Sequence, residues 1–117
     1  MMMQKFLPIL RENKGRIINV SSITTSLCFA GSGAYSPSKC ALEALTDQLR
    51  REMFMEGYEV AVVTVQPGTI KTPIWDKAVQ SRAASDSDEL LKLYPKVASW
   101  GRALIASSQK SGELPEH

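Results

Sequence analysis

Arg16-Ile17-Ile18-Asn19-Val20 and Val60-Ala61-Val62-Val63-Thr64-Val65 are the two stretches that decide the fold of this chain. Both are short and rich in β-branched residues, which favours β-strands. The second is apolar at almost every position, as expected for a strand that is buried on both faces. Residues 34–55 between them show a helical repeat, and Gly57 provides the stop signal. A strand, a helix and a second strand in this order predict a βαβ unit with parallel strands.

The long helix predicted over 34–55 has one apolar face. That face is formed by Leu42, Leu45, Leu49 and Met53. The polar residues Glu43, Asp47, Arg50 and Arg51 fall on its other faces. We therefore expect the four apolar side chains to pack the helix against the core.

Shorter segments flank this unit. Residues 1–11 predict a helix that is kinked or starts late because of Pro8, and the small and hydroxyl residues over 21–33 indicate a loop. Beyond Thr72 the pattern predicts a short helix over 73–79, a mobile segment over 81–88, helices over 89–93 and 96–107, and a polar tail over 108–117. Trp100 is expected in the core.

Length and composition exclude several classes of protein. A chain of 117 residues forms one domain, and a net charge of +2 gives no electrostatic basis for binding nucleic acid. No apolar run approaches the roughly 20 residues of a membrane-spanning helix, and the N-terminus has no signal-peptide pattern. Cys28 and Cys40 match no metal or redox spacing, so a cytoplasmic or other reducing compartment is expected.

The histidine content excludes further kinds of catalytic and metal site. The only histidine is His117, the last residue. Ser-His-Asp and Cys-His mechanisms need a held imidazole, and a zinc site of several histidines is impossible. We expect no metal site, and any acid–base chemistry must use Tyr, Lys, Asp, Glu or Cys.

Tyr35 and Lys39 are the first candidates for that chemistry. They lie four residues apart at the start of the long helix, which places them side by side on one face. An ammonium beside a phenol favours the phenolate, so such a pair can give and take a proton near neutral pH. Ser22 follows the first strand and Pro67-Gly68 follows the second, so these segments are expected at one edge of the sheet. From these residues alone, a chance pair on a solvated helix and a turn-forming Ser22 are equally open interpretations.

Three segments in this order resemble the short-chain dehydrogenase/reductase family. They are Gly15-Arg16-Ile17-Ile18-Asn19-Val20-Ser21-Ser22, Gly33-Ala34-Tyr35-Ser36-Pro37-Ser38-Lys39 and Pro67-Gly68-Thr69-Ile70-Lys71-Thr72-Pro73. The similarity runs from about residue 4 to residue 75. It implies an α/β fold, a partial Rossmann-like, doubly wound parallel sheet formed by the second half of that fold. Residues 1–80 would form the catalytic core, and residues 81–117 a lid and a C-terminal helical segment.

The resemblance also implies roles for single residues. Tyr35 would be the catalytic acid and base, and Ser22 would hold the substrate oxygen, with Ser21 as the alternative. Lys39 would bind the nicotinamide ribose and assist Tyr35. Tyr35 would also contact the cofactor, whose nicotinamide end would meet Pro67, Gly68, Ile70 and Thr72. The reaction implied is hydride transfer between NAD or NADP and an alcohol or ketone.

Ile74 and Trp75 follow the last of these segments, where the family's substrate lid begins. They would line an apolar pocket for a hydrophobic or aromatic carbonyl compound, although simple packing of a short helix explains them equally well. The long helix over 34–55 would provide a dimer surface in the full-length form, because family members commonly associate through it.

The chain departs from the family pattern in its cofactor motif. The family's Gly-rich turn, which seats the pyrophosphate on a helix N-terminus, does not occur, and Gly31-Ser32-Gly33 lacks the required spacing. The family's Asn-Ala-Gly strand and its catalytic asparagine are also missing. We therefore expect the chain to correspond to the C-terminal half of a family member, to bind nicotinamide cofactors poorly alone, and to expose apolar surface that favours self-association.

Three functions are consistent with these observations. The first is a family oxidoreductase of which this sequence is a part. The second is a non-catalytic interaction or regulatory protein that retains the helical dimer surface. The third is an unrelated α/β binding domain in which the motifs occur by chance.

Overall fold

The computed structural model describes residues 2–85 and 88–111 and contains the predicted βαβ unit. Its elements are α1 (Met2–Glu12), β1 (Arg16–Val20), α2 (Thr24–Leu27), α3 (Tyr35–Met55), β2 (Ala61–Val65), α4 (Ile74–Ser85), α5 (Asp88–Leu93) and α6 (Pro95–Ser111). They divide into two compact units, one of Met1–Leu27 with Ala34–Pro67 and one of Cys28–Gly33 with Gly68–His117. The α/β fold with parallel strands is confirmed.

The sheet of the first unit consists, within the described residues, of β1 and β2 in parallel. Ile17 pairs with Val62, Ile18 with Val63 and Val20 with Val65. Because side chains alternate along a strand, Ile17 and Val62 share one face and the other pairs share the opposite one.

The core of this unit lies on one face of the sheet. Ile17, Met53, Val60 and Val62 are buried together, and the half-buried side chains of Leu7, Leu10, Leu49 and Tyr58 pack against them. Removing each such apolar side chain from water stabilises the fold by roughly 1.5–3 kcal/mol. The core therefore joins α1 and the C-terminal half of α3 to the two strands.

In the part of the chain that the structure describes, the opposite face of the sheet is apolar and exposed. We call Ile18, Val20, Val63 and Val65 the outer sheet face; Ile18 and Val20 are each 56% exposed, Val65 44% and Val63 38%. The strands have the composition of strands buried on both faces, yet one face is exposed here, in line with the exposed apolar surface expected of this chain. Helices α1 and α3 supply side chains to only one of the two faces.

Two glycines end the helices of this unit. A Cβ atom on Gly15 would lie 2.6 Å from Leu10 Cδ2, so any larger residue at the turn from α1 into β1 would displace that side chain. Gly57 adopts a φ of +68° after α3, and the next amide, of Tyr58, donates to the carbonyl of Met53 at 2.9 Å. This left-handed glycine cap confirms the stop predicted at Gly57.

Helix α2 was not expected from the sequence, since residues 21–33 have the composition of a loop. The amide of Thr25 donates to the carbonyl of Ser22 at 3.2 Å, and that of Ser26 to the carbonyl of Ile23 at 3.1 Å. Short-range hydrogen bonds of this kind form one helical turn despite the low helix propensity of Ser and Thr.

The second unit is more helical than predicted. Helix α4 continues to Ser85, through part of the segment expected to be mobile, and α6 continues to Ser111 instead of ending at residue 107. Residues 86–87 and 112–117, which complete the predicted mobile segment and tail, lie outside the described residues. A hydrogen bond from Gln109 to Asp76 and the burial of Ile105 and Ser108 hold the end of α6 in place.

Trp100 is not a core residue. Its side chain is 41% exposed, and its ring lies 5.8 Å from that of Phe29. The buried residues of α6 are instead Ala98, Gly101, Ile105 and Ser108, which follow a helical repeat. Trp100 lies outside this repeat and packs at its margin.

Candidate active site

Ser22 lies immediately beyond β1 and is buried, with 8% of its surface exposed. Its Oγ accepts a hydrogen bond from the amide of Thr24 at 3.3 Å, and its carbonyl accepts from the Thr25 amide at 3.2 Å and the Thr25 hydroxyl at 2.9 Å. The hydroxyl thus organises the first turn after the strand, as the simpler interpretation of this serine predicts. We call residues 21–25 the Ser22 turn.

Tyr35 and Lys39 lie together at the start of α3, as their spacing predicts. The Lys39 Nζ is 5.7 Å from the centre of the Tyr35 ring, and the tyrosine side chain is half exposed. The same ammonium donates a hydrogen bond to the carbonyl oxygen of Val20 at 3.0 Å. Lys39 therefore connects Tyr35 to the carboxyl end of β1, the residue before the Ser22 turn.

The segments after the two strands run side by side. The amide of Ser21 donates to the carbonyl of Val65 at 2.7 Å, and the amide of Ile23 donates to that of Pro67 at 3.1 Å. The edge expected from parallel-strand geometry is present, and it places Pro67 next to the Ser22 turn.

The other predicted cofactor and substrate residues belong to the second unit. A Cβ atom on Gly68 would meet no atom of the chain within 4 Å, so the space beside this residue is open. The indole nitrogen of Trp75 donates to the carbonyl of Ile70 at 2.8 Å, and Ile74 is 64% exposed.

An open pocket in the second unit includes two of these residues. Its lining consists of Lys71, Thr72, Pro73, Trp75, Asp76 and Gln109. Thr72 and Trp75 therefore face one concave surface, whereas Ile70 and Ile74 are not among its lining residues.

Sequence reasoning missed the hydrogen-bonded cluster of Glu43, Gln66 and Thr25. Glu43 Oε1 accepts from the Gln66 amide nitrogen at 2.7 Å and from the Thr25 hydroxyl at 3.0 Å. The Gln66 nitrogen also approaches the Thr25 hydroxyl at 3.2 Å. The cluster joins α3 to the Ser22 turn and to the residue after β2. The signal was available, because Glu43 follows Lys39 by one helical turn.

The cluster favours the ionised form of Glu43. The Ser21 hydroxyl lowers the pKa of Glu43 most, followed by the Gln66 amide and the Thr25 hydroxyl, while partial burial opposes them. The Ser21 Oγ approaches the carboxylate without completing a hydrogen bond of normal geometry, and it has no other partner. Neutral donors alone therefore hold a negative charge here.

A second polar contact fixes α3 on the sheet. The Asn19 amide nitrogen donates to the Thr46 hydroxyl at 2.8 Å, and Thr46, which is fully buried, donates to the Leu42 carbonyl at 2.7 Å. Farther along, Arg50 Nε donates to the Val62 carbonyl at 3.0 Å.

The predicted inner face of α3 is right at Leu49 and Met53, which belong to the core, and wrong in placing Glu43 and Arg50 on other faces. Lys39, Glu43, Thr46, Arg50 and Met53 contact the strands or the segments after them, at steps of four and three residues. Leu42, Leu45 and Leu49 form a neighbouring, half-buried row. Backbone and hydroxyl groups at the sheet accept or donate hydrogen bonds, so polar side chains can face it.

In the part of the chain that the structure describes, no three His, Cys, Asp or Glu side chains are close enough to hold a metal ion. No helix among the described residues is both long and apolar enough to cross a membrane.

Comparison with known proteins decides the family. The family described as short chain dehydrogenase matches residues 1–83, which is more than half of the chain. The chain belongs to the short-chain dehydrogenase family.

Three curated relatives show how the similarity is distributed. A 3-amino-tetrahydro-pyrrolizinone reductase of Xenorhabdus hominickii is 45% identical over 77% of this chain and 32% of its own length. Estradiol 17-beta-dehydrogenase 2 of Mus musculus is 40% identical over 95% of this chain and 30% of its own length. An NADPH-dependent 3-dehydrocapnine reductase of Ornithobacterium rhinotracheale is 44% identical over 64% of this chain and 28% of its own length.

The chain thus spans about a third of the length of these short-chain dehydrogenase relatives. No solved structure matches it.

Proposed function

We propose that this chain supplies the catalytic part of a dehydrogenase or reductase that uses NAD or NADP and acts on an alcohol or a ketone. The observation that carries the proposal is the position of the Lys39 ammonium, which lies between the Tyr35 ring and the end of β1. The family of the chain and the names of its relatives, which are reductases and a dehydrogenase, support it.

Each candidate residue has a definite task in this proposal. The half-exposed Tyr35 gives a proton to the substrate oxygen or removes one from it, with the Lys39 ammonium beside its ring. Ser22 donates its hydroxyl hydrogen to the same oxygen. A lone pair of Ser22 Oγ accepts the hydrogen bond from the Thr24 amide. The hydroxyl hydrogen of Ser22 is therefore free to bond to the substrate oxygen.

The residues present fit the nicotinamide end of the cofactor. Gly68 borders open space, and Pro67 lies beside the Ser22 turn. Lys39 would hold the ribose, Tyr35 would lie beside it, and Pro67, Gly68, Ile70 and Thr72 would line the nicotinamide. The bound cofactor supplies the site that accepts or donates the hydride.

The substrate is proposed to be apolar. Trp75 and the exposed Ile74 present large apolar side chains at the start of α4, and one relative is named for estradiol. Residues 81–117 would act as a lid, since Gln109 of α6 lines the same pocket as Thr72 and Trp75.

Pyrophosphate binding is the step that this chain alone is expected to perform poorly. Its seven glycines include no Gly-x-Gly-x-x-Gly pattern. Without such a turn at a helix N-terminus, the cofactor is not positioned, and the rate advantage of positioning is lost.

The experiment compares the 117-residue chain with the same chain joined to a Gly-rich strand–turn–helix segment of a family member. Binding of NADH and NADPH is followed by fluorescence, and turnover is measured with apolar secondary alcohols. We expect binding and turnover only in the joined protein. Micromolar cofactor binding by a monomeric 117-residue chain would contradict the proposed dependence, and a joined protein that binds cofactor without turnover would contradict the catalytic assignment.

A second function is favoured by the exposed apolar surfaces. The outer sheet face is uncovered, and Phe54 and Met55 at the end of α3 are 83% and 82% exposed. Surfaces of this kind are typical of protein contacts. A non-catalytic protein that pairs through α3 would therefore associate in solution and show no turnover in either form of the experiment.

A further inference from the structure

Glu43 occupies the centre of the contacts between α3 and the Ser22 turn. Its Oε1 accepts hydrogen bonds from Thr25, within the turn, at 3.0 Å and from Gln66, after β2, at 2.7 Å. Both partners lie far from it in sequence, so the carboxylate joins three separate segments of the first unit. Hydrogen bonds to an ionised acceptor are roughly twice as strong as those between neutral groups.

Thr25 connects Glu43 to Ser22. Its single hydroxyl hydrogen is shared between the Ser22 carbonyl at 2.9 Å and Glu43 Oε1 at 3.0 Å, and its own carbonyl accepts from the Cys40 thiol at 3.8 Å. The Ser22 turn is therefore attached to α3 at two residues, Cys40 and Glu43. Both lie in the helical turn directly after Lys39.

The attachment determines where Ser22 stands relative to the proton-transfer pair. Tyr35, Lys39 and Glu43 follow one another at intervals of four residues along one face of α3. A shift of the turn along that face would move Ser22 away from Tyr35 without disturbing the core, because the core contact of α3 is made at Met53 and Leu49.

We propose that Glu43 is a positioning residue that holds the Ser22 turn against α3. The proposal rests on the proposed function in one respect, the binding of the substrate oxygen by Ser22. How firmly residues 21–25 are held can nevertheless be measured without enzymatic activity. Lys39, one helical turn away, directs its ammonium to Val20, and Asp47, one turn beyond, is paired with Arg50. The groups that hold Glu43 are thus the neutral donors of Thr25 and Gln66.

The test is amide hydrogen exchange of the 117-residue chain, followed by mass spectrometry, in Glu43→Ala and Glu43→Gln variants. The control is Glu52→Ala, because Glu52 lies on the same helix and its carboxylate accepts from the exposed Gln48 at 2.9 Å. We expect Glu43→Ala to accelerate exchange of residues 23–26 by about three- to tenfold, with residues 48–55 of α3 unchanged. Glu43→Gln retains an acceptor oxygen and should show a smaller acceleration, and Glu52→Ala none.

Two results would overturn the proposal. One is exchange of residues 23–26 in Glu43→Ala that equals that of Glu52→Ala. The other is equal acceleration throughout the first unit, which would indicate a general loss of stability. If Glu43→Ala does not fold, the same comparison with Glu43→Gln decides. Absence of turnover in a joined protein that binds cofactor would count against the proposed function and leave the exchange result intact.

Discussion

Tyr35 is the residue on which the proposed proton transfer depends. For a protein that joins this chain to a cofactor-binding segment, Tyr35→Phe removes the hydroxyl and keeps the ring, so turnover should fall by a factor on the order of 10² to 10⁴. Cofactor affinity should change little. Steady-state kinetics and fluorescence titration measure the two effects, with Tyr94→Phe, an exposed tyrosine of the second unit, as control. Normal turnover in Tyr35→Phe would show that another group transfers the proton.

Lys39 is expected to contribute both to cofactor binding and to the rate of turnover. Its ammonium lies beside Tyr35 and donates to Val20 at 3.0 Å, so Lys39→Ala removes a charge near the phenol and a contact to the strand end. In the same joined protein, both the affinity for NADH or NADPH and kcat should fall, by about tenfold or more each. Lys5→Ala, an exposed lysine of α1, is the control. A loss of kcat with unchanged cofactor affinity would contradict the ribose-binding role.

Glu43 makes the stability of the first unit depend on pH. Its pKa is lowered in the folded state, first by the Ser21 hydroxyl, so the carboxylate stabilises the fold above the unfolded pKa. This contribution disappears as pH falls through the lowered folded value. Urea unfolding of the wild type and Glu43→Gln should therefore show a stability difference near pH 6 that narrows toward about pH 3. A difference that stays constant with pH would show that ionisation of Glu43 does not matter.

At the scale of elements, the contact between Asn19 and Thr46 connects β1 to α3. Thr46→Val preserves the shape of a fully buried side chain but leaves the Asn19 amide without its acceptor at 2.8 Å. The unfolding free energy should fall by about 1–3 kcal/mol. Thr46→Ser, which retains the hydroxyl, should lose less. Urea denaturation compares the three proteins, and equal stability of wild type and Thr46→Val would mean that the contact is not needed.

For the whole molecule, we expect the outer sheet face to contribute most to self-association. Ile18→Lys combined with Val63→Lys places charges on two half-exposed neighbours and leaves the core untouched. The variant should be monomeric at concentrations where the wild-type chain associates, as measured by sedimentation. Phe54→Ser with Met55→Ser tests the end of α3 in the same way. Association lost only in the second variant would assign the contact to α3 and not to the sheet.

Much of the fold could be predicted from local sequence. Strand β1 lies where the β-branched run predicts it, α3 starts within one residue of the expected position, and Gly57 ends it. These features depend on backbone preferences and on periodicity, which are properties of short segments. Helix α2 and the extension of α6 to Ser111 were missed, because hydrogen bonds from Thr25 and Gln109 stabilise residues of low helix propensity.

Part of the candidate site could likewise be predicted from local sequence. By itself, the sequence determined that Tyr35 and Lys39 are neighbours, because they lie one helical turn apart, and that Ser22 follows a strand whose carboxyl end meets that of β2. Only the tertiary structure decided which side of α3 faces the sheet, since this depends on the carbonyls of Val20 and Val62 and on the amides of Asn19 and Gln66. It also decided that Ile18 and Val63 remain exposed, because an apolar residue is buried only where another element covers it.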